Sequence, residues 1–203
     1  MSPRHDPDND EGAFGRFAFA TATAGLVAVV LGLAAIWFVL RVGGVASPSS
    51  PLRDLVTRRG NLPPDKAMLY YTKDGRTLTG AVADLGVAGL PGERARAIVA
   101  RLVEGRDADL FRNPVPPGTR LLSVFLKGDL AIVNLSKEFS TNLNGGIDAE
   151  LLAVYSVVNS ILVNIDGIDA VQIKIDGEEL PVLRGFVDIE GPLVADTGLM
   201  RPR

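Results

Sequence analysis

The 203-residue chain contains no cysteine. That removes disulfides, thiol nucleophiles, Cys-ligated metals and lipid attachment through sulfur, while leaving the compartment open. The single histidine is His5. Everything after it lacks an imidazole, which excludes Ser-His-Asp catalysis and His-ligated zinc there. A basic excess is also missing. Beyond Leu40, once Arg4, Arg16, Asp6, Asp8, Asp10 and Glu11 are set aside, nineteen Lys and Arg face twenty Asp and Glu. With no basic stripe and no interleaved aromatics, nucleic acid is not an expected partner. No phosphate-cradling glycine loop of the Walker or Rossmann kind occurs, and no internal repeat is visible.

What the chain does have is an uncharged, mostly apolar run from Phe17 to Leu40, bracketed by Arg16 and Arg41. Its twenty-four residues exceed the roughly 20 that a helix needs to cross a bilayer core. A helix satisfies its own backbone hydrogen bonds inside lipid, so residues 17–40 are expected to be a transmembrane helix in contact with the bilayer. Trp37 and Phe38 suit the interface, and Arg41 can reach the headgroups. A signal-peptide core is typically about 7–15 residues, shorter than this one. Gly44-Val45-Ala46 nevertheless offers a small-residue cleavage site, and cutting after Ala46 would release the remainder. Thr21, Gly25, Ala28 and Gly32 form a ridge suited to close helix packing. The flanking Lys and Arg lean towards a cytoplasmic C-terminal part, but long domains translocate largely regardless of charge.

The expected organisation is a disordered tail at 1–16, the membrane helix at 17–40, a Pro/Gly/Ser tether at 41–66, a folded domain at 67–195 and a C-terminal tail at 196–203. Within the domain, Met68–Thr72 and Thr77–Asp84 read as strands around an Asp74-Gly75 turn. Pro91 and Gly92 open a helix to Glu104 that buries Ala95, Ile98, Val99 and Leu102 and is ended by Gly105. A hairpin turns at Gly128-Asp129, with Leu122, Val124 and Leu126 on one face of its first arm and Ala131, Val133 and Leu135 on one face of its second. A second helix, with Asp148 as N-cap, runs to about Asn164. It is apolar over most of its circumference, apart from a narrow stripe of Ala149, Ala153, Ser156 and Ser160, and is expected at the centre of the core. Val171–Ile175 alternates strictly, with one apolar and one solvated face, and Leu180–Ile189 reads as a final edge strand. The pattern specifies an α+β domain: a mixed sheet with two helices packed on one face, preceded by the transmembrane helix.

Few residues are candidates for chemistry. Ser136 stands beside Lys137 and Glu138, but neighbours on a strand point to opposite faces, so Ser136 is expected to end a strand and bond local backbone. Asp166, Asp169 and Asp176 are the best acidic group for a calcium site or an acid/base carboxylate pair, and Asp166, Asp169 or Glu178 would be the residues of any hydrolase. Their spacing matches no calcium loop, and aspartates in Asp-Gly turns commonly serve the turn. Arg94, Arg96, Arg101, Arg106 and Arg112 read as a solvated face, with an anionic partner surface as the alternative. No catalytic, cofactor-binding or metal-binding residue is assigned, no cofactor is expected, and the chain is expected not to be an enzyme.

Four segments in order resemble the GerMN domain family: LYYTKDG, RARAIVARLVEG, PPGTRLLSVFLKGDLAIVNLSKEF and LLAVYSVVNSILVNIDGIDAVQIKIDGEE. The resemblance spans residues 67–195 and implies a fold akin to ring-building motifs of envelope assemblies. It also implies a bacterial, extracytoplasmic setting behind an N-terminal anchor in the cytoplasmic membrane. The family's spore protein carries tandem domains and a lipid anchor; this chain carries one domain and no cysteine to acylate, so a sporulation role is not transferred. Asn134 stands where an acidic residue is expected in many relatives. The expected function is a single-pass, non-catalytic envelope protein mediating protein–protein interaction or self-assembly, with envelope proteins or further copies of itself as partners. Edge strands near Ala67 and Leu180 are the expected docking points. The alternative is a peptidoglycan- or sugar-binding module accessory to a cell-wall enzyme.

Overall fold

The structure, a computed structural model, describes residues 62–86, 89–105 and 110–200. The expected tail at 1–16, the membrane helix at 17–40 and the tether up to residue 61 lie outside the described residues. The folded part starts slightly before the expected boundary. β1 (Lys66–Thr72) pairs antiparallel with β2 (Leu78–Asp84), with Thr72 opposite Leu78 and Met68 opposite Val82. The turn between them is built by Asp74, whose Oδ1 accepts the N–H groups of Arg76 and Thr77 at 3.0 Å each. Gly75 supplies the positive φ of 71°.

Helix α1 (Pro91–Glu104) starts with proline at its first position, where no intrahelical N–H partner exists to be lost. The Glu93 carboxylate reaches back to accept the Leu90 N–H at 3.2 Å. Its far end stops at Gly105, and the Asn113 side-chain amide donates to the freed Leu102 carbonyl at 2.7 Å. The buried face is Ala95, Ile98, Val99 and Leu102, the set read from the spacing.

β3 (Leu121–Lys127) and β4 (Leu130–Leu135) form the hairpin, with Gly128 at φ 61° in its two-residue turn. A short helix α2 (Glu138–Thr141) leads to α3 (Ile147–Asn164), which crosses over to β5 (Ala170–Ile175). β3 runs antiparallel to β4 and β5 parallel to it, giving a mixed sheet in the order β3-β4-β5. α1 packs against β3, α3 against β5, and the two helices against each other. The mixed sheet with two helices over it therefore stands as an α+β unit. The β1-β2 pair is not part of that sheet but a second, two-stranded one laid along α3. One sheet was expected; the division arises because β1 pairs on its other side with a helix rather than a strand.

α3 is the only helix among the described residues long and apolar enough to cross a membrane. Here it is the core of the domain, buried almost continuously from Leu152 to Asn164. Its N-cap is Gly146, not Asp148, which lies in the first turn where its charge still favours the helix macrodipole. A bulge in β3 between Leu121 and Ser123 shifts the inward pattern, so Leu122 is exposed although it was expected on the core face.

The end of the chain departs most from the sequence pattern. Leu180–Ile189 forms no strand; a single bridge joins Val182 to Asp188, and Gly185 at φ 125° folds the segment back. Leu183, Val187 and Ile189 are buried by it. Residues 190–200, which run into the expected C-terminal tail, are also anchored. Leu193 exchanges backbone hydrogen bonds with Val171 at 2.9 and 2.8 Å, and Met200 is buried. The Leu78 N–H donates to Leu199 at 2.7 Å, and Asn159 holds Asp196 through both its amide atoms. Gln172 was expected on a solvated face. It is buried instead, and its amide donates to the Ile189 carbonyl at 3.0 Å.

Candidate functional site

Two strand edges and two polar clusters are the places where this domain's chemistry is concentrated. The outer edge of β1 is closed along its whole length. The Met68 N–H donates to Asn164 Oδ1 at 3.0 Å, and Asn164 Nδ2 donates back to the Met68 carbonyl at 2.7 Å. The Tyr70 N–H donates to Ser160 Oγ at 2.9 Å, while Ser156 Oγ donates to the Tyr70 carbonyl at 2.6 Å. Thr72 exchanges two backbone bonds with Arg112, at 3.1 and 2.7 Å. At the other end the Lys66 N–H donates to Pro63, and Arg94 Nη2 donates to the Lys66 carbonyl at 2.6 Å. The same guanidinium donates to the Pro64 carbonyl and, through Nε, to the Asn164 carbonyl at 3.3 Å.

β1 is therefore not a docking edge, contrary to the expectation for the strand near Ala67. Nor is Arg94 part of a solvated basic face: it joins the start of β1 to the C-terminal end of α3, where a cation is favoured. Arg96 is exposed, and Arg101 pairs with Glu104 at 2.9 Å on the surface. Arg106 lies outside the described residues. The edge near Leu180 is also unavailable as a strand, because that segment folds on itself and Leu193 occupies the β5 side.

Ser136 ends β4 fully buried. Its Oγ accepts the Arg120 N–H at 2.9 Å, and its own N–H donates to the Arg120 carbonyl at 2.9 Å. A hydrogen bond from Ser136 is also the main cause holding the Glu138 carboxyl below the usual carboxylate range; its own backbone N–H comes next, and Arg120 at 3.6 Å contributes less. Lys137 is exposed, and its N–H donates to Asp176 Oδ1 at 3.2 Å. Asp176 holds a φ of 49°, and with Gly177 it turns the chain so that Ile175 and Glu178 exchange backbone bonds. Asn134 fixes the same turn, its Oδ1 accepting the Gly177 N–H at 2.8 Å. Ser136, Asn134 and Asp176 thus serve the backbone.

Asp166, Asp169 and Asp176 do not converge. Asp166 follows α3, Asp169 precedes β5 with its N–H on the Asp129 carbonyl, and Asp176 follows the far end of β5. Among the described residues no three His, Cys, Asp or Glu side chains are grouped to hold a metal ion. Two clefts are shallow. One of about 300 Å³ lies beside Arg94, Asn164 and Asp166; another of about 270 Å³ lies between Arg112, Pro114, Pro116, Asn142 and Asn144.

The edge of β3 has no such closure. The two-residue turn makes Lys127 and Leu130 a hydrogen-bonded pair, as is Phe125 with Ile132 two residues on. The backbone groups of Val124 and Leu126 consequently point away from β4, and among the described residues nothing bonds to them. Beside this edge Phe125 is 64% and Leu122 42% exposed. Sequence reasoning missed this edge because Leu122 was assigned to the core. It also missed Asn164, Glu150 and Gln172. The signal for Asn164 was present: Ser156, Ser160 and Asn164 repeat every four residues on an otherwise apolar helix, the spacing of one polar face. Glu150 is buried, its Oε2 accepting the Val187 N–H at 3.0 Å, and nothing in the local pattern distinguishes it from a surface acid.

A family model described as Germane, sporulation and spore germination, matches residues 68–181, more than half of the chain. The chain belongs to that family, and its folded part is a GerMN-like domain. Among solved structures it is similar to the tandem GerMN domains of the sporulation protein GerM from Bacillus subtilis, at 24% identity and TM-score 0.53, covering 64% of this chain and 45% of that one. It is also similar to the first GerMN domain of that protein alone, at 24% identity and TM-score 0.50, covering 64% of this chain and 95% of that one. A Clostridium perfringens chain described as a lipoprotein aligns at 26% identity with a TM-score of 0.46, over 64% of this chain and 86% of that one. The GerM likenesses are likenesses of fold. No protein with a curated description matches.

Proposed function

We propose that this chain is a single-pass protein of the bacterial cytoplasmic membrane whose GerMN-like domain works outside the membrane as a non-catalytic interaction module. Residues 17–40 form the anchor, 41–61 the greater part of the tether, and the domain binds envelope proteins or further copies of itself. The observation that carries this reading is the way the domain uses its polar side chains. Ser136, Asn134, Asp176, Arg94, Ser156, Ser160 and Asn164 all bond backbone. Large apolar side chains, by contrast, stand at the surface beside an unpaired strand edge. Such a surface is suited to partner strands or apolar patches rather than to small polar substrates. Membership of a family described by sporulation and spore germination supports a bacterial setting.

In-cell crosslinking with a tag after Arg203, followed by solubilisation and identification of adducts, tests the reading. A stoichiometric envelope protein or a ladder of self-adducts is expected. A lone monomer overturns the interaction role, and a tag reached only from the cytoplasm overturns the topology.

A further inference from the structure

We infer that residues 51–59, just ahead of the described domain, pack back onto it as a short amphipathic helix, with Leu52, Leu55 and Val56 seated in the cleft beside Arg94 and Asp166. The inference goes beyond the interaction reading above and does not depend on which partner the domain binds. It divides the tether in two: a free linker at 41–50, and a segment that belongs to the domain.

The sequence of this stretch carries helix signals at both ends. Ser50 is a good N-cap and Pro51 suits the first helical position, while Gly60 follows the last. Asp54 falls near the start and Arg58 and Arg59 at the end, the signs that the helix dipole favours. Leu52, Leu55 and Val56 stand at i, i+3 and i+4, so they form one apolar stripe, with Arg53 and Arg58 flanking it. Helices shorter than about 12–15 residues are marginal in water, so this one needs a surface to form against.

The length of chain on either side says which surface that is. Only Gly60 and Asn61 separate Arg59 from Leu62, a span of at most about 11 Å. Leu62 packs against the core and lines the cleft of about 300 Å³, together with Pro64, Pro91 and Ile165. The apolar stripe is therefore delivered to an apolar-walled cleft by the chain's own path. On the membrane side, residues 41–50 can span up to about 35 Å, so nothing holds the segment against the bilayer.

Charge points the same way. Residues 51–59 carry three arginines against one aspartate. Asp166 in the cleft and Glu93 beside it are exposed acids, and the carbonyl end of α3 at Asn164 and Ile165 adds partial negative charge. The one cation in the cleft wall, Arg94, is turned onto the carbonyls of Pro64, Lys66 and Asn164. Tension on the linker would have to peel the docked helix away before it loaded β1.

The absence of cysteine makes the test direct. Single Val56→Cys and Thr57→Cys variants of the full chain are labelled with a bulky maleimide in native membranes opened to expose both faces. Cysteine behaves as a small hydrophobe, so Val56→Cys keeps the apolar stripe, and Thr57 lies on the opposite side of the helix. Val56→Cys is expected to react several-fold more slowly than Thr57→Cys. The difference is expected to vanish when Pro91→Arg and Asp166→Arg together put like charge in the cleft. Both positions are exposed, and circular dichroism of the purified variants checks that each is folded. Equal rates without the cleft substitutions overturn the inference and leave 51–59 a plain linker. A Val56→Cys that stays slow after the cleft is changed also overturns it, and places the segment on the bilayer. The crosslinked adducts test the interaction reading separately, so either reading can fail without the other.

Discussion

Of the edge strands of this domain, β1 and β3 are treated in opposite ways. β1 is sealed: a helix supplies Ser156, Ser160 and Asn164 to its backbone, a loop supplies Arg112, and Arg94 closes its start. β3 is open: among the described residues nothing bonds to Val124 and Leu126 on that side, and Phe125 stands beside them. A buried backbone group without a partner costs far more than an exposed one, which water can satisfy. The sealed edge lies inside the core and the open edge at the surface. An edge can stay available for docking only where solvent covers it when the partner is absent.

The sharpest way to break this contrast is to unseal β1. Asn164→Leu orphans both Met68 groups in a dry site, and the expected loss is about 2–5 kcal/mol, one to two buried polar groups left unpaired. Urea denaturation should show a lower midpoint; an unchanged midpoint would mean that the asparagine does not hold the strand. Next in size is Arg94→Met. Removing charge-assisted bonds to Pro64, Lys66 and Asn164 should cost about 1.5–3 kcal/mol. Arg96→Met, on the exposed face of the same helix, should stay within about 0.5 kcal/mol. Equal losses for the two would restore the view of Arg94 as one more surface charge.

Phe125→Ser tests the other side of the comparison. An exposed apolar residue contributes little to the fold, so its melting behaviour should shift by no more than about 0.5 kcal/mol, while the crosslinked adducts expected of an interaction surface are lost. A large stability loss would show Phe125 to be core instead of contact. The smallest effect concerns pH. Glu138 has its pKa lowered in the folded state, chiefly by Ser136, so its stabilising contribution is complete above the unfolded carboxylate pKa of about 4.3. It disappears as pH falls through the lowered folded value. Glu138→Gln should therefore flatten part of the acid limb of a stability profile below about pH 4.5 and leave its course at neutral pH parallel to that of the parent. An acid limb unchanged by the substitution would sever Glu138 from the Ser136 network.

Where a residue's environment is set by its near neighbours, the sequence was readable. The Asp74-Gly75 turn, the buried face of α1, the Gly128-Asp129 hairpin and the core position of α3 all follow from local period and turn chemistry. The family resemblance holds as well. What escaped depends on contacts remote in sequence. Asn164 meets Met68 across 96 residues, Glu150 meets Val187 across 37, and Gln172 is covered by the end of a segment that read as an edge strand. The β3 bulge is a second kind of failure: one extra residue reverses the facing of Leu122 without altering the apolar count.

Arg94 has a mechanical consequence. The chain enters the domain through Pro63 and Pro64 into β1, and the Arg94 guanidinium grips Pro64 and Lys66 at that entry point while resting on the end of α3. Tension arriving along residues 41–61 would pull β1 along its own axis. Its bonds to β2 and to α3 run across that axis, so they would share the load in shear instead of yielding one at a time. A domain pulled from the end where β1 begins is in this way held by its innermost helix.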